Sequence, residues 1–263
     1  MTFRCSRCGA ESSAAASQCR ACHCWGTFAQ SPGAKRRSSG PTKLSNVSGR
    51  RLPRITSGFG SLDAALGGGF VKGSPYLLAG EPGTGKSTIA LQMMEGKHAL
   101  LIEGEESEAA VAARADRLGI DKAGLSIWST SDVANLDSDR TRYDLIVANS
   151  IQELSLRGVG GRAGSVTQTV EVARRIRDHG RNIGATVILI GQVNADGDIA
   201  GPRSVDHLVD GSLTFKKDDV SGLRTLCVTK HRHGPAPKTV EFFMTAEGLR
   251  PKPRELAVVK GGV

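Results

Sequence analysis

The residues best suited to chemistry are Gly80-Glu81-Pro82-Gly83-Thr84-Gly85-Lys86-Ser87, which fill every position of the pattern GxxxxGK[ST]. Such a run cradles phosphate. Its glycines let the backbone curl so that N–H groups converge on phosphate oxygens, and the helix that follows adds the positive end of its dipole. Lys86 would reach the β- and γ-phosphates of a nucleotide, and the Ser87 hydroxyl would ligate Mg2+. Thr88 completes the nucleotide-contacting set. A glycine-rich turn with a chance Lys-Ser is the plain alternative. The setting argues against it: Tyr76-Leu77-Leu78-Ala79 reads as a strand and Thr88-Ile89-Ala90-Leu91-Gln92-Met93-Met94 as a helix.

Hydrolysis of a γ-phosphate also needs a placed metal, an oriented water and a cation for developing charge. A strand over 98–103 runs into Gly104-Glu105-Glu106-Ser107. We place this strand beside the phosphate-loop strand, where a carboxylate at its end can orient or deprotonate water. Glu105 is favoured and Glu106 second. The competing reading makes both simple helix N-terminal acids, stabilised by the dipole. An Asp is expected at the end of another apolar strand to hold the metal's water shell. That strand is Leu145-Ile146-Val147-Ala148, and the residue in place is Asn149. Asn149 is uncharged, though it can accept a hydrogen bond from a metal-bound water. Losses of outer partners typically cost ~10–100-fold. Turnover is therefore expected to be attenuated, or nucleotide occupancy to be the working signal, and Asn149→Asp to raise the rate. Gln192 closes the strand 186–191, where a neutral amide can sense a γ-phosphate or simply cap the strand.

A second cluster stands at the N-terminus. Cys5-x2-Cys8-x10-Cys19-x2-Cys22 forms two CxxC knuckles, and paired knuckles suit a tetrahedral Zn2+ site. The gap of ten is short, and His23 and Cys24 are possible substitute ligands. Disulfides are the alternative, disfavoured in a reducing compartment. Cys227 falls in a strand pattern and reads as a buried small hydrophobe.

The elements that must position these residues are legible in outline. Strands are expected at 76–79, 98–103, 125–128, 144–148, 186–191, 211–215, 223–230 and 239–243. Helices are expected at 61–66, 86–95, 107–118 and 165–179. Short apolar strands alternating with helices imply an α/β fold with a mainly parallel sheet buried on both faces. Ligands then sit at the carboxyl ends of the strands. The domains expected are a zinc finger over 1–28, a basic flexible linker over 29–54, a core over 55–250 and a tail over 251–263. Residues 1–54 hold ten of the 35 Lys and Arg and one acid, Glu11, so the +9 formal charge lies there. A basic arm suggests a polyanion such as DNA, or else merely a solubilising tail. No apolar run approaches the ~20 residues of a membrane span. The N-terminus lacks a signal-like apolar stretch, so a cytoplasmic location is expected.

Taken together, the motifs resemble the bacterial RadA (Sms) family of RecA-like recombination and repair ATPases. The resemblance rests on the four-cysteine finger with Trp25, on Ser57-Gly58-Phe59-Gly60-Ser61-Leu62-Asp63, and on Leu66-Gly67-Gly68-Gly69 before the phosphate loop. It continues through Gly104-Glu105-Glu106-Ser107, Arg114-Ala115-Asp116-Arg117-Leu118-Gly119 and Asn149-Ser150-Ile151-Gln152. It ends with Gly164-Ser165-Val166-Thr167-Gln168, Ile199-Ala200-Gly201-Pro202-Arg203, Asp206-His207-Leu208-Val209-Asp210 and Lys230-His231-Arg232-His233-Gly234.

The resemblance implies a RecA-like core in a hexameric ring. ATP would lie between subunits, with single-stranded or branched DNA as partner and branch migration or helicase-like work as the output. It also implies Zn2+, Mg2+, and a RecA-type recombinase as a further partner. Lys230 and Arg232 would act on a neighbour's γ-phosphate. DNA-facing loops would map near Arg157–Gln168 and Ala200–Ser204. Arg157, Arg162 and Arg203 would contact phosphates, the first loop being flexible and cationic.

Three departures matter. Asn149 stands for Asp. His231 and His233 replace Asn and Phe. The family's Lon-protease-like C-terminal domain is expected to be absent, since the chain ends at Val263. An ATP-gated DNA-binding or loading factor is the alternative to a motor. A clock-kinase-type ATPase sharing the Glu-Glu-Ser element is a third reading, opposed by the finger and basic arm.

Overall fold

The computed structural model describes residues 51–192 and 203–253, with short stretches at 3–5, 11–12, 18–19, 24, 28–30 and 43–47. The chain divides between Arg51 and Leu52 into two units. In the first, β1 (Phe3–Cys5), β2 (Glu11–Ser12) and β3 (Phe28–Gln30) pair antiparallel in the order β2-β1-β3. Of the expected zinc ligands, Cys8 and Cys22 lie outside the described residues. Cys5 ends β1, and Cys19 is buried. Among the described residues no group of three or more His, Cys, Asp or Glu could hold a metal.

The second unit opens with a small hairpin, β4 (Arg54–Ile55) against β5 (Phe70–Val71), which embraces α1 (Gly60–Ala65). A nine-stranded sheet follows. Its strands are β6 (Pro75–Gly80), β7 (Ala99–Glu103), β8 (Leu125–Ser129), β9 (Leu145–Asn149), β10 (Thr186–Gln192), β11 (Gly211–Lys217), β12 (Arg224–His231), β13 (Lys238–Thr245) and β14 (Gly248–Pro251). Their spatial order is β14-β13-β12-β11-β6-β10-β9-β7-β8. From β11 to β8 all neighbours run parallel, and β12 to β14 add an antiparallel edge. The phosphate-loop strand β6 therefore lies between β10 and β11. The expected adjacency of strand 98–103 to it is corrected: β10 and β9 stand between β6 and β7.

The parallel strands are buried on both faces, and their side chains alternate between two cores. Tyr76 and Leu78 of β6 join Leu101, Val147 and Ile190 on one face. There they pack on Leu62 of α1, on Ile89 and Met93 of α2 (Lys86–Met94), and on Val111 and Ala115 of α3 (Glu108–Arg117). Leu77 and Ala79 join Leu100, Ile146 and Leu189 on the other. Their cover is Val172, Ala173 and Ile176 of α4 (Val166–Ile183). Each fully buried aliphatic side chain contributes roughly 1.5–3 kcal/mol, so a sheet covered on both sides holds its register tightly. Cys227 is not the buried hydrophobe expected. It is only partly covered, between the buried Leu226 and Val228.

Helix ends follow local chemistry. Ser107 caps α3 by accepting from Ala110 N at 3.2 Å, and Ser165 caps α4 by accepting from Gln168 N at 3.4 Å. Helix α4 runs past the expected end at 179 and stops at Gly184, whose φ is 79°. Gly180 sits inside it because a Cβ there would lie 2.3 Å from Val187 Cγ2 on β10. A four-residue helix, α5 (Arg203–Asp206), leads into β11. No helix among the described residues is long and apolar enough to cross a membrane.

At the end of β12, His231 is buried, and both its ring nitrogens lack a hydrogen-bond partner among the described residues. Tyr76, His233 and Arg54 surround it. Arg54 is itself fixed by the carbonyls of Leu66, Gly69 and His233 at 2.7, 2.7 and 2.8 Å. Burial, then the charge of Arg54, then His233, hold the His231 pKa below its ordinary 6.5. The unfolded chain thus takes up a proton that the folded chain resists. Stability from this site is full above about pH 6.5 and is lost as pH falls through the depressed value. His231→Leu, of similar volume, should flatten that acid side. Melting temperatures at about pH 7.5 and 5.5 check this: the substitution should shrink the difference between the two.

Candidate functional site

The site grows from the top of β6. The strand ends at Gly80, where a Cβ would fall 2.3 Å from the Phe215 carbonyl oxygen on β11. Only glycine fits so close a pass. The loop then turns into α2, whose N-cap, Gly85, has a φ of 104°. A Cβ at Gly85 would meet Met244 Cε at 2.8 Å. The backbone is therefore shaped by glycine at both ends of the loop. Thr84 Oγ1 donates to the Glu81 carbonyl at 2.9 Å and pins the turn between.

Lys86 is 8% exposed. Its ammonium donates to the carbonyls of Gly80 at 2.9 Å and Glu81 at 2.8 Å. Burial lowers its pKa, while Glu105 and Glu81 pull the other way. A cation so poorly hydrated gains most from an anion brought to it. The space before it is a cleft of about 310 Å3, lined by the phosphate loop, Glu105, Arg114, Asn149, Gln192 and Met244. Two loop glycines, Gly83 and Gly85, line it and leave backbone N–H groups open to a phosphate chain.

Strand register brings the other groups to the same level. Gln192 of β10 pairs with Gly80 of β6, and Glu103 of β7 pairs with Asn149 of β9. Ser87 Oγ donates to Asn149 Oδ1 at 3.3 Å. Gln192 Nε2 donates to Glu105 Oε1 at 3.3 Å, linking the expected sensor to the favoured base. Glu106 has another occupation: Arg114 binds both its oxygens, at 2.7 and 2.6 Å. The structure thus separates two adjacent acids, one open to the cleft and one engaged by a cation.

Sequence reasoning passed over Glu103. It is 2% exposed, and its carboxylate accepts from Asn149 Nδ2 at 2.9 and 3.2 Å. It also accepts from the backbone N–H groups of Glu105 at 2.9 Å and Glu106 at 3.1 Å. Burial raises its pKa, and these hydrogen bonds oppose the rise. A charged residue closing an apolar strand was the only signal available, and Glu105 and Glu106 beside it drew the attention.

Lys230 and Arg232 are not in this cleft. Gly211 at the start of β11 pairs with both Tyr76 and His231, so these cations sit near the amino ends of the parallel strands. The cleft lies beyond Gly80, four residues up β6, roughly 13 Å away along the strand. Lys230 Nζ bonds the Asp206 carbonyl and approaches Asp206 Oδ2 at 3.4 Å. Arg232 pairs with Asp210 at 3.1 Å and keeps about half its surface in solvent. Neither can serve the nucleotide cleft of its own chain.

The candidate polyanion loop is less free than its glycines suggest. Arg157 pairs with Asp132 at 3.0 Å, though its side chain is 80% exposed. The buried Gln168 ties the loop down. Its amide accepts from Leu156 N at 2.8 Å and donates to the carbonyls of Val159 at 2.7 Å and Gly161 at 3.2 Å. Arg162 is exposed on this anchored loop. Arg203 begins α5, while the rest of the second candidate loop before it lies outside the described residues.

Residues 55–144 match the family model described as "ATPase: KaiC". The chain is 36% identical over 94% of its length to the DNA repair protein RadA of Salmonella typhimurium, and equally so to that of Escherichia coli. It is 34% identical over 97% of its length to the RadA of Aquifex aeolicus. It spans 59 to 60% of the length of these relatives. A crystal structure of a KaiC-like protein from Pyrococcus horikoshii superposes with a TM-score of 0.61 at 20% identity, covering 77% of this chain and 100% of that one, a likeness of fold. The chain is a homologue of the RadA proteins, and its core has the RecA-like, KaiC-like α/β fold.

Proposed function

We propose that this chain binds ATP with Mg2+ at the carboxyl ends of β6, β9 and β10 and hydrolyses it in concert with DNA. The observation that carries the reading is convergence. Lys86, Ser87, Glu105, Asn149 and Gln192, drawn from four strand ends, meet in one cleft. Magnesium, when bound with the nucleotide, neutralises charge that develops on the phosphates. Ser87 and Asn149 are the residues that would hold it or its waters. Glu105 is left to orient or deprotonate the attacking water, since Arg114 occupies Glu106. Gln192, bonded to Glu105, reports the state of the γ-phosphate to the segment that follows β10. Replacing Glu105 by Gln should keep nucleotide binding and lower turnover by about 10²–10⁴-fold. Equal turnover in the variant would remove Glu105 from the role.

The DNA part of the reading rests on the names of the RadA relatives, on the exposed Arg157 and Arg162, and on the basic first fifth of the chain. Single-stranded or branched DNA is the substrate we infer, with recombination or repair as the setting. Cys5, Cys8, Cys19 and Cys22 would hold a structural zinc beside it. A loading factor gated by ATP occupancy is the second reading, favoured by the uncharged Asn149. Turnover measured with and without single-stranded DNA separates the two. Stimulation supports the motor, and binding with negligible turnover supports the gate.

Lys230 and Arg232 gain a role only if a neighbouring chain presents its nucleotide to them. We infer a ring or filament in which they act across the interface. Mixing tests this directly. An Arg232→Ala chain and a Glu105→Gln chain are each defective alone, but a mixed assembly holds some interfaces with both groups intact. Turnover should recover on mixing to a measurable fraction of the unsubstituted rate. No recovery, with assembly confirmed by light scattering, would refute action in trans.

A further inference from the structure

The metal side of the cleft is built differently from its usual form, in which a single aspartate closes the apolar strand and holds the ion. In this chain that position is Asn149, and a buried carboxylate lies directly across the ladder, on Glu103. Their contact is specific. A carboxylate oxygen accepts hydrogen bonds, and the Asn149 amide turns its NH2 toward Glu103 to supply one. It does so, at 2.9 and 3.2 Å. The amide oxygen is thereby forced outward, toward Ser87 Oγ at 3.3 Å. The same Glu103 oxygen that takes the longer amide bond holds the backbone N–H groups of Glu105 and Glu106. One buried carboxylate thus fixes both the oxygen presented to the metal side and the loop that carries the candidate base.

We propose that Glu103 and Asn149 are a split replacement for the strand-end aspartate, Asn149 supplying the oxygen and Glu103 supplying the charge and the orientation. Glu103 is a positioning residue: it acts through Asn149 and through the Glu105 loop. This rests on the nucleotide-site reading above and makes it more specific. It also reverses the expectation from sequence that Asn149→Asp restores a missing charge. With Glu103 in place, that change sets two carboxylates about 3 Å apart, one of them buried, where both do not readily ionise. The charge was never missing; it had moved to the neighbouring strand.

The test is a four-protein cycle on the full chain: unsubstituted, Glu103→Gln, Asn149→Asp, and both together. The double variant exchanges the two chemistries, since an amide at position 103 can donate to a carboxylate at position 149. Two quantities are read. One is ADP and ATP affinity by calorimetry, in Mg2+ and in EDTA. The other is melting temperature without nucleotide. Asn149→Asp alone should lower the melting temperature and, like Glu103→Gln, weaken the Mg2+-dependent gain in nucleotide affinity by about 10–100-fold. The double variant should recover both, well beyond the sum of the single effects. Affinity in EDTA should stay nearly constant throughout. Additive effects across the cycle, or an Asn149→Asp chain as stable as the parent with tighter Mg2+-nucleotide binding, would overturn the proposal. Failure of the unsubstituted chain to bind nucleotide in either buffer would overturn the nucleotide-site reading itself, and the inference with it. Normal binding in EDTA with an additive cycle would sink the inference alone.

Discussion

Everything in this site depends on parallel strands that finish at one level. Gly80, Glu103, Asn149 and Gln192 lie on four different strands, yet ladder pairing places Gly80 beside Gln192 and Glu103 beside Asn149. A slip of one residue in any ladder would turn a strand's side chains to the wrong face. The double core forbids it. Leu77 and Leu78 point to opposite sides, and each is almost completely buried. The chemistry at the strand ends is thus held by apolar packing below it, on elements that cannot shift independently.

A second constraint acts at the strand ends, where apolar packing gives way to polar groups that must be satisfied. Glu103 is as buried as its leucine neighbours and carries a carboxyl group. It is tolerable only because three nitrogens donate to it, the Asn149 amide shared across both its oxygens and the Glu105 and Glu106 backbone. Removing either side would leave a buried group unpaired, so the pair is an electrostatic unit. Lys86 solves the same problem with carbonyls. Its partners, Gly80 and Glu81, are part of the loop it serves, and a phosphate would offer it charge in place of dipoles. The site is therefore polarised before any ligand arrives, cationic at the loop and anionic behind Asn149.

Much of this was legible in the residues because it is local. The phosphate loop is eight consecutive positions, and its strand and helix adjoin it. The strand runs 145–148 and 186–191 announce themselves as apolar blocks, and both end where expected, at Asn149 and Gln192. What escaped was non-local. Glu103 and Asn149 are 46 positions apart, and nothing in either neighbourhood names the other. The insertion of β10 and β9 between β6 and β7 is a fact of strand order, which local pattern does not encode. The choice between Glu105 and Glu106 is made by Arg114, a full helical turn or two downstream, through an ion pair that only the folded α3 creates. The hairpin of β4 and β5 and the strand β14 were missed for a simpler reason. At two and four residues they are too short to carry a period. The last turn of α4 was missed as well, and within it Gly180 makes room for Val187.

The two ends of the sheet carry different charged groups. At the carboxyl ends lie the cradle, the metal side and the open acid. At the amino ends, near Tyr76, lie Lys230 and Arg232, the latter half in solvent and held by Asp210 rather than by any group of the cleft. A rigid sheet cannot bend back on itself to join them, because its strands are straight over the roughly 13 Å that separate the ends. Bringing a second sheet end-on is the arrangement that the proposed action across an interface would require. The carboxylates Asp206 and Asp210 then have a clear physical use. They hold two cations in extended, ordered positions in the lone chain, at the modest cost of partly exposed pairs that a phosphate can outcompete. The ion pairs of Lys230 and Arg232 are thus weak enough to be exchanged for a phosphate, which is what the proposed action across an interface would require.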